Sequence, residues 1–393
     1  MDYYFRYLVQ FSNFYNEILP NGNKIYIDGS YLYNFQSACY NLVTRKNFHY
    51  FIDPETFKFQ YGGDRVFYLK YLEYFEEFAG LFNDEKIINL DFLEELNNFN
   101  DFYKKVIRYQ RTMLANTQIP LDYYRAIADD RVAVKNYNPI ENLDFFIAPY
   151  FEFYQISDDY YNYTLRYSLL NSDNYSLLRF PKELLIDTES IVRITQDFRK
   201  SRGILINALE LNQYDKKDLN LYFKNLIDLI YKFNLNNQEV ILMNNSEFGK
   251  YLKYFGLKEV CSNVMIGQTS SEYKPFKSDS KGGSSDFIYI PQIERSISIS
   301  KGATLIARNA GVQNILPRNI ENSDLNSRIN NYYEVVQNKI EKINQFPIGD
   351  ILQEIEDMFN QVTFDLHKGE YRYINLWKDI LLSKYNEYFD DNV

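Results

Sequence analysis

Five short apolar runs recur along residues 176 to 291, separated by longer stretches with a helical pattern. Their cores read SLLRF, ILINAL, EVILM, NVMIG and FIYIP, and they begin at intervals of about 24 to 35 residues. Strands that alternate with helices in this way form a parallel sheet covered by helices. Such folds bind ligands at the carboxyl ends of their strands, so the residues that follow each run are the candidates for function.

The stretches between the runs carry helix start and stop signals. Asp187 precedes the helical stretch TESIVRITQDFRKSRG, which is predicted to end at Gly203. Ser246 is predicted to cap EFGKYLKYFG, which closes at Gly256. The intervening helix, DLNLYFKNLIDLIYKF, should pack on the sheet through one apolar face: Leu219, Phe223, Leu226, Ile227 and Ile230.

The same pattern can be followed upstream, where three further strands are predicted. They are NKIYID (23–28), FHYFID (48–53) and DFFIAPYFEF (144–153), with the helical stretch YLYNFQSACYNLVTR after the first. Together with the opening five they make eight strands. This count predicts an α/β fold of the (β/α)8 TIM-barrel type.

The barrel is predicted to carry two helical additions. Residues 1–63 would supply barrel strands 1 and 2, and residues 64–143 a mainly helical insertion. Residues 144–310 would supply strands 3 to 8, with SISISKGATLIARNAG beginning the final barrel helix. Residues 311–393 are predicted to form a C-terminal helical extension, with helices near 323–343, 348–361 and 371–388.

Composition narrows the classes of function. The net charge of −10 and the pI near 5.0 argue against a general polyanion binder and leave a local basic groove as the alternative. Two cysteines, far apart, and two histidines exclude a disulfide framework and a Cys- or His-rich zinc site. Any metal should therefore be a hard cation such as Mg²⁺, and no cofactor is required. With no membrane-spanning run and no signal peptide in the sequence, we expect a cytoplasmic protein without a membrane partner.

Carboxylates at the predicted strand ends are the main candidates for catalysis. Two carboxylates in one cleft can be driven to different protonation states, so that one acts as acid and the other as base or nucleophile. They could instead hold Mg²⁺ with a substrate phosphate. The candidates are Asp28, Asp53, Glu152 and Glu210. Structural alternatives remain open: a turn for Asp28, an Asx turn or N-cap before Pro54 for Asp53, and solvent exposure for Glu152.

Amide, arginine and acidic side chains at other strand ends are predicted to bind substrate. Arg179 suits bidentate binding of a carboxylate or phosphate, although a salt bridge to a neighbouring acid is equally consistent. Asn244 and Asn245 could orient a substrate or simply form a loop. The full set is Arg179, Asn244, Asn245, Glu247, Gln268 and Gln292.

The loop at residues 270–286, SSEYKPFKSDSKGGSSD, is a candidate phosphate site. Its glycines would let backbone N–H groups converge on an anion before the last strand. The predicted residues are Lys281, Gly282, Gly283 and Ser284. The spacing is not that of a P-loop, and a lid or an ordinary loop is the alternative.

Two short motifs resemble the tRNA-guanine transglycosylases. IDGSY at 27–31 and FKFQYGGD at 57–64 are similar to strand-end motifs of these barrel enzymes, which exchange a base by means of strand-end aspartates. The resemblance implies that Asp28 is a substrate-side carboxylate and that Gln60 and Asp64 lie near the base pocket. The zinc site common in that family has no counterpart here, and the resemblance covers about 13 residues.

The preferred hypothesis is a barrel enzyme, a transferase, hydrolase or lyase, acting on a small polar, phosphorylated or nucleoside-like substrate. One alternative is base exchange or another reaction on nucleic acid, which the basic face of the insertion would bind through Lys104, Lys105, Arg108 and Arg111. Another is a non-catalytic barrel that forms a homo-oligomer or a subunit of a larger assembly.

Overall fold

A seven-stranded parallel sheet organises the protein. The computed structural model describes residues 1–8, 14–78, 80–115, 139–262, 287–299, 325–365 and 371–389. The strands of the sheet are β1 (Asp2–Arg6), β2 (Lys24–Asp28), β3 (His49–Asp53), β4 (Tyr175–Pro181), β5 (Gly203–Leu209), β6 (Glu239–Met243) and β7 (Leu257–Ser262). Their order is β3-β2-β1-β7-β6-β5-β4, and every neighbouring pair is parallel. The sheet curls into an open half-barrel flanked by helices, which confirms the α/β class.

Helices follow most of the strands and cover the outer face of the sheet. The α-helices are α1 (Gly29–Asn34), α2 (Gln36–Lys46), α3 (Val66–Leu72), α4 (Leu90–Glu94), α5 (Leu96–Thr112), α6 (Asp159–Ser168), α7 (Thr188–Asp197), α8 (Lys216–Asp218), α9 (Lys224–Leu235), α10 (Ser246–Gly249), α11 (Leu325–Gln345), α12 (Ile348–Asp365) and α13 (Arg372–Phe389). Shorter 3-10 helices include Thr56–Gln60 and Lys250–Phe255, and a π-helical turn, Leu219–Phe223, joins α8 to α9.

Alternation along the strands divides the buried side chains between two cores. Inside the curl, Tyr4, Tyr26, Phe51, Leu177 and Leu205 belong to one apolar cluster, which we call the inner core. The neighbouring residues along each strand pack against the helices in a larger outer core. Successive side chains of a strand point to opposite faces. A residue two positions beyond an inner-core residue therefore also lies on the inner face.

The first strand was not predicted from the sequence. β1 lies in the middle of the sheet, between β2 and β7. Its core is only DYYFR, with two charged residues and three aromatic ones, so it lacks the aliphatic run that marks the other strands. Its inner face carries Tyr4 and then Arg6 toward the carboxyl edge.

The full eight-stranded barrel is not formed, and the segment predicted as barrel strand 3 is not a strand of the sheet. Residues 143–152 lie between the edge strands β3 and β4 and form only isolated β-bridges with them, from Leu143 to Tyr50 and from Ile147 and Glu152 to β4. Pro149 lacks a backbone N–H and cannot continue a ladder. Four other N–H groups of the segment donate instead to side chains: Ile147 to Gln110, Tyr150 to Thr56, Phe151 to Thr164 and Glu152 to Gln60.

The last predicted strands also differ from the structure. FIYIP contributes β8 (Phe287–Ile290), but β8 pairs antiparallel with β9 (Arg295–Ser298) in a separate two-stranded sheet. The start of SISIS is therefore a strand where a helix was predicted. NVMIG lies outside the described residues, and the position next to β6 is taken by β7, LKEVCS, whose adjacent Lys258 and Glu259 obscure the apolar pattern.

Most of the predicted helices are confirmed. The side-chain oxygen of Asp187 caps α7 by accepting the N–H of Glu189 at 3.1 Å, although the helix ends at Asp197, before the basic turn. The predicted apolar face of the helix before β6 is wholly buried. The cap assigned to Ser246 is wrong, because Ser246 lies inside α10 and its hydroxyl pairs with Ser262 at 3.0 Å.

The three C-terminal helices occur where they were predicted, as α11, α12 and α13. Trp377 of α13 is fully buried, and its indole N–H donates to the carbonyl of Gln213 at 2.7 Å, which ties the extension to the loop after β5. Across the described residues, no helix combines the length and apolar character needed to span a membrane.

Candidate active site

Two aspartates end neighbouring strands on the inner face of the sheet. Asp28 and Asp53 are register partners in β2 and β3, so their Cα atoms are about 4.8 Å apart. Each lies two residues beyond an inner-core aromatic residue, Tyr26 or Phe51, and is 7% or 6% exposed. Two of the predicted catalytic carboxylates are thus brought together in a buried setting, where neighbouring charges act strongly on each other.

Asp28 is held by an arginine from the neighbouring strand β1. The Nε of Arg6 donates to Asp28 Oδ2 at 2.9 Å, and a second guanidinium nitrogen completes the ion pair. Burial raises the pKa of Asp28, and the positive charge of Arg6 opposes that rise. The ion pair therefore favours the carboxylate form of Asp28.

Asp53 has no cation beside it among the described residues. Its Oδ1 accepts the hydroxyl of Tyr150 at 2.6 Å and the backbone N–H of Glu55 at 2.9 Å. Burial raises the pKa of Asp53 to about 7, with further contributions from the negative charges of Glu55 and Asp28. Asp53 is therefore a carboxyl group that can both hold and release a proton near neutral pH.

A third carboxylate, Glu55, lies two residues beyond Asp53. It contacts Lys58 at 2.5 Å and accepts the backbone N–H and the hydroxyl of Ser30 at 2.9 and 2.5 Å. Burial alone would raise the pKa of Glu55, but Lys58 and Ser30 outweigh it, and the pKa is lowered. Glu55 has a φ of 49°, the left-handed region that non-glycine residues rarely adopt, and such strain tends to concentrate at functional sites.

Across the curl, Glu152 and Arg179 form a buried ion pair. Arg179 Nε lies 2.7 Å from Glu152 Oε2, and the guanidinium group stacks 4.0 Å from the centre of the Phe57 ring. The hydroxyl of Tyr154 donates to Glu152 Oε1 at 2.9 Å. The Phe57 ring stacks in turn on Tyr150, the partner of Asp53, so one chain of contacts joins the ion pair to the aspartates.

Buried amides follow on the next strands. Asn207 is the register partner of Arg179 and shares the inner face of β5 with Leu205. Its Oδ1 has no hydrogen-bond partner among the described residues, and the same holds for both side-chain amide atoms of Asn245, two residues beyond β6. Asn244 is also buried, and its backbone N–H donates to the carbonyl of Cys261 at 3.0 Å.

Other predicted site residues lie elsewhere. Glu210 is exposed in the turn after β5, where its backbone carbonyl accepts a hydrogen bond from Lys182 Nζ at 3.1 Å. Glu247 lies in α10, in a separate buried network with Lys250 and Tyr289. Gln292 lies in the 3-10 turn Pro291–Ile293, and its side chain is outside the described part of the structure. The predictions for Gln268, Lys281, Gly282, Gly283 and Ser284 fall outside the described residues.

The transglycosylase resemblance implied that Gln60 and Asp64 lie near a base pocket. Gln60 is tied to the backbone of Glu152, since its Nε2 donates to the carbonyl at 2.8 Å and its Oε1 accepts the N–H at 2.6 Å. Asp64 is exposed. On the insertion, Lys104 and Lys105 pair with Asp101 and Glu77, so two of the four basic residues already face acidic partners.

Several residues of the site escaped the sequence analysis: Arg6, Glu55, Lys58, Tyr150 and Asn207. Two signals were available. A polar residue inside the apolar run ILINAL marks Asn207, and a second acid two residues after Asp53 marks Glu55. Arg6 could be placed in the site only if β1 was recognised as a strand. Tyr150 could not be placed there from the sequence, because it is 97 residues from its partner Asp53.

The carboxyl groups of the edge differ in the charges that they face. Within the described parts of the chain, no group of three or more His, Cys, Asp or Glu side chains could hold a metal ion. Asp28 and Glu55 already face cations, whereas Asp53 does not. The arrangement can hold one carboxyl protonated beside one that is ionised, the condition for acid and base to act on the same substrate.

Comparison of the chain with protein-family models, with curated proteins and with solved structures gives no match.

Proposed function

We propose that the protein is an enzyme that performs general acid–base chemistry on a small polar substrate at the carboxyl edge of the curled sheet. The observation that carries the proposal is the pair Asp28 and Asp53. The two are adjacent on the inner face, but Asp28 pairs with a cation and Asp53 with neutral hydrogen-bond donors. Burial raises the pKa of both carboxyls, but Arg6 opposes the rise at Asp28, whereas the negative charges of Glu55 and Asp28 add to burial at Asp53 and bring its pKa to about 7. Pairs of carboxyls whose pKa values are driven apart are typical of acid–base enzymes.

The roles follow from the partners. Asp53 donates its proton to the leaving atom of the substrate as the bond to that atom breaks, and Asp28 accepts a proton from the attacking hydroxyl group or water. The two carboxyls then have exchanged protonation states, and proton exchange with solvent restores them. Tyr150 positions Asp53 through its hydroxyl, 2.6 Å away. The reaction is thus a group transfer or a hydrolysis.

Of the two kinds of carboxylate chemistry predicted from the sequence, acid–base and Mg²⁺-assisted, the acid–base kind has more support. Mg²⁺-assisted chemistry would need several carboxylate oxygens directed at one ion, and no such group occurs among the described residues. Base exchange on a nucleic acid would use the same two aspartates and would appear as an outcome of the test below. A non-catalytic barrel subunit is the outcome expected if neither aspartate affects any conversion.

The proposal is tested by turnover. Wild-type protein would be incubated with a panel of sugars, nucleosides, their phosphate esters and a tRNA, and conversion followed by NMR or mass spectrometry. We expect conversion of at least one compound, slowed by about 100-fold or more in Asp53→Asn and in Asp28→Asn. Asp101→Asn, on the exposed side of α5, is the matched control and should leave the rate unchanged.

Two results would contradict the proposal. One is the absence of any conversion across the panel by correctly folded wild-type protein. The other is a conversion whose rate is the same in Asp53→Asn as in the wild type. Circular dichroism of each variant separates loss of catalysis from loss of the fold.

A further inference from the structure

A buried asparagine, whose side-chain oxygen has no hydrogen-bond partner among the described residues, lies beside the paired charges of the carboxyl edge. Asn207 is 6% exposed, and alternation from Leu205 directs its side chain to the inner face of the sheet. Its register partner is Arg179, in the ion pair with Glu152. Because buried polar atoms are normally hydrogen-bonded, an acceptor such as Asn207 Oδ1 with no partner among the described residues indicates a position for a donor from a ligand.

The charges at this edge cancel in pairs. Three cations each contact one carboxylate: Arg6 with Asp28, Lys58 with Glu55, and Arg179 with Glu152. Asp53 adds a carboxyl group with no cation beside it in the described part of the chain. A phosphate group would therefore meet no excess positive charge from these residues, although phosphate binding normally depends on arginine or lysine.

The helix that begins at this edge is also occupied. Backbone N–H groups at a helix N-terminus commonly bind phosphate. At the start of α1, however, the N–H of Ser30 donates to Glu55 Oε2 at 2.9 Å, so a side chain of the protein already fills that anion position.

We infer that the carboxyl edge binds its substrate through a neutral group that donates a hydrogen bond to Asn207, a hydroxyl or an amide N–H, and discriminates against phosphate esters. The inference rests on the proposed function for the location of the site and adds the class of ligand. Asn245, buried at the end of the next strand with both amide atoms unpartnered among the described residues, offers a second neutral contact at the same edge.

The test compares neutral compounds with their own phosphate esters. Calorimetric titration would measure binding of hexoses against hexose 6-phosphates, whose donors are hydroxyls, and of nucleosides against nucleoside 5′-monophosphates, which add amide-type N–H donors. We expect at least one neutral compound to bind, and its phosphate ester to bind about 10-fold or more weakly, because Arg6, Lys58 and Arg179 already face carboxylates. Comparison of the two arms shows whether a hydroxyl or an N–H is the donor.

Asn207→Leu tests the residue itself. The variant keeps the size of the side chain and removes its polar atoms, so affinity for the neutral compound should fall about 10-fold or more. Its melting temperature should be at least that of the wild type, because no hydrogen bond within the described residues is lost. Asn97→Leu, exposed at the start of α5, is the control and should bind normally.

The inference is overturned if no neutral compound binds, if phosphate esters bind as well as their parents, or if Asn207→Leu retains full affinity. A phosphorylated substrate whose turnover requires Asp53 would overturn it and leave the proposed function standing. A neutral ligand that binds through Asn207 but is never converted would support the inference and contradict the proposed function.

Discussion

At the scale of single residues, the environment of each carboxyl decides its role. Asp28 and Asp53 are the same residue type, at the same level of adjacent strands and equally buried. One faces Arg6, and the other faces a tyrosine hydroxyl and a backbone N–H. Burial raises the pKa of both groups, but only Asp28 has a cation that opposes the rise, and this difference is the physical basis for assigning Asp53 as the acid.

The raised pKa of Asp53 makes stability depend on pH. The folded protein holds this proton up to about pH 7, whereas the unfolded chain releases it near pH 4, so the folded state binds more protons between these values. The free energy of unfolding should therefore fall as pH rises from about 4.5 to 7, by on the order of 3 kcal/mol from this group, and stay level above pH 7.

Urea unfolding at several pH values measures this effect. Asp53→Asn should flatten the slope between pH 4.5 and 7, while Asp101→Asn should not alter it. Glu55, whose pKa is lowered, changes the free energy of unfolding in the opposite direction, because its stabilisation is lost at low pH. Glu55 is present in both proteins, so its contribution does not distinguish them. Equal slopes in wild type and Asp53→Asn would argue against the raised pKa.

At the scale of elements, the segment 143–152 takes the place of a strand but is held by side chains. The Glu152–Arg179 pair bonds it to β4, and Gln60 and Thr56 satisfy two of its N–H groups. Removing one member of a buried pair leaves the other charge without compensation, which costs more than the pair contributes.

Glu152→Gln should therefore destabilise the protein by about 3–5 kcal/mol in denaturant unfolding. The double variant Glu152→Leu with Arg179→Met should recover much of that loss, since neither charge remains buried. Glu94→Gln removes the acid of an exposed pair with Arg166, 3.6 Å apart, and should cost less than about 1 kcal/mol. A loss of the same small size for Glu152→Gln would contradict a buried, interdependent pair.

The elements also explain how far the sequence could be used. Asp28 and Asp53 were predicted because each ends a clear apolar run, and strand ends of a parallel sheet meet at one edge. Arg6 was missed because β1 is short and aromatic. Asn207 was missed because strands covered on both faces are almost uniformly apolar, which hides the face to which one polar residue belongs. Contacts such as Tyr150 with Asp53 depend on packing between distant segments.

At the scale of the whole molecule, a buried charge network joins the C-terminal helices to the body of the protein. Lys250 is 1% exposed and lies 2.8 Å from both Glu247 and Glu294, and Lys339 of α11 reaches Glu294 and Glu354 of α12 at 3.3 and 3.1 Å. Lys250, Glu294, Lys339 and Glu354 border a cavity of about 210 Å³. Glu247 belongs to this network through its ion pair with Lys250.

Lys250→Met should leave two buried glutamates without their shared cation and lower the free energy of unfolding by at least about 3–5 kcal/mol. This is a large part of the total for a protein of marginal stability. Lys342→Met, which removes a half-exposed partner of Glu354, is the control and should change stability by less than about 1 kcal/mol. Comparable losses in the two variants would show that the network is not a buried anchor.

The central claim is that Asp53 holds a proton near neutral pH at the carboxyl edge of the sheet, and infrared titration of the protein with ¹³C-labelled aspartate tests it most directly. We expect a protonated carboxyl band that disappears with a midpoint near pH 7 and is missing from Asp53→Asn. Absence of any aspartate carboxyl band above pH 5, or a band near pH 7 that persists in Asp53→Asn, would contradict the account.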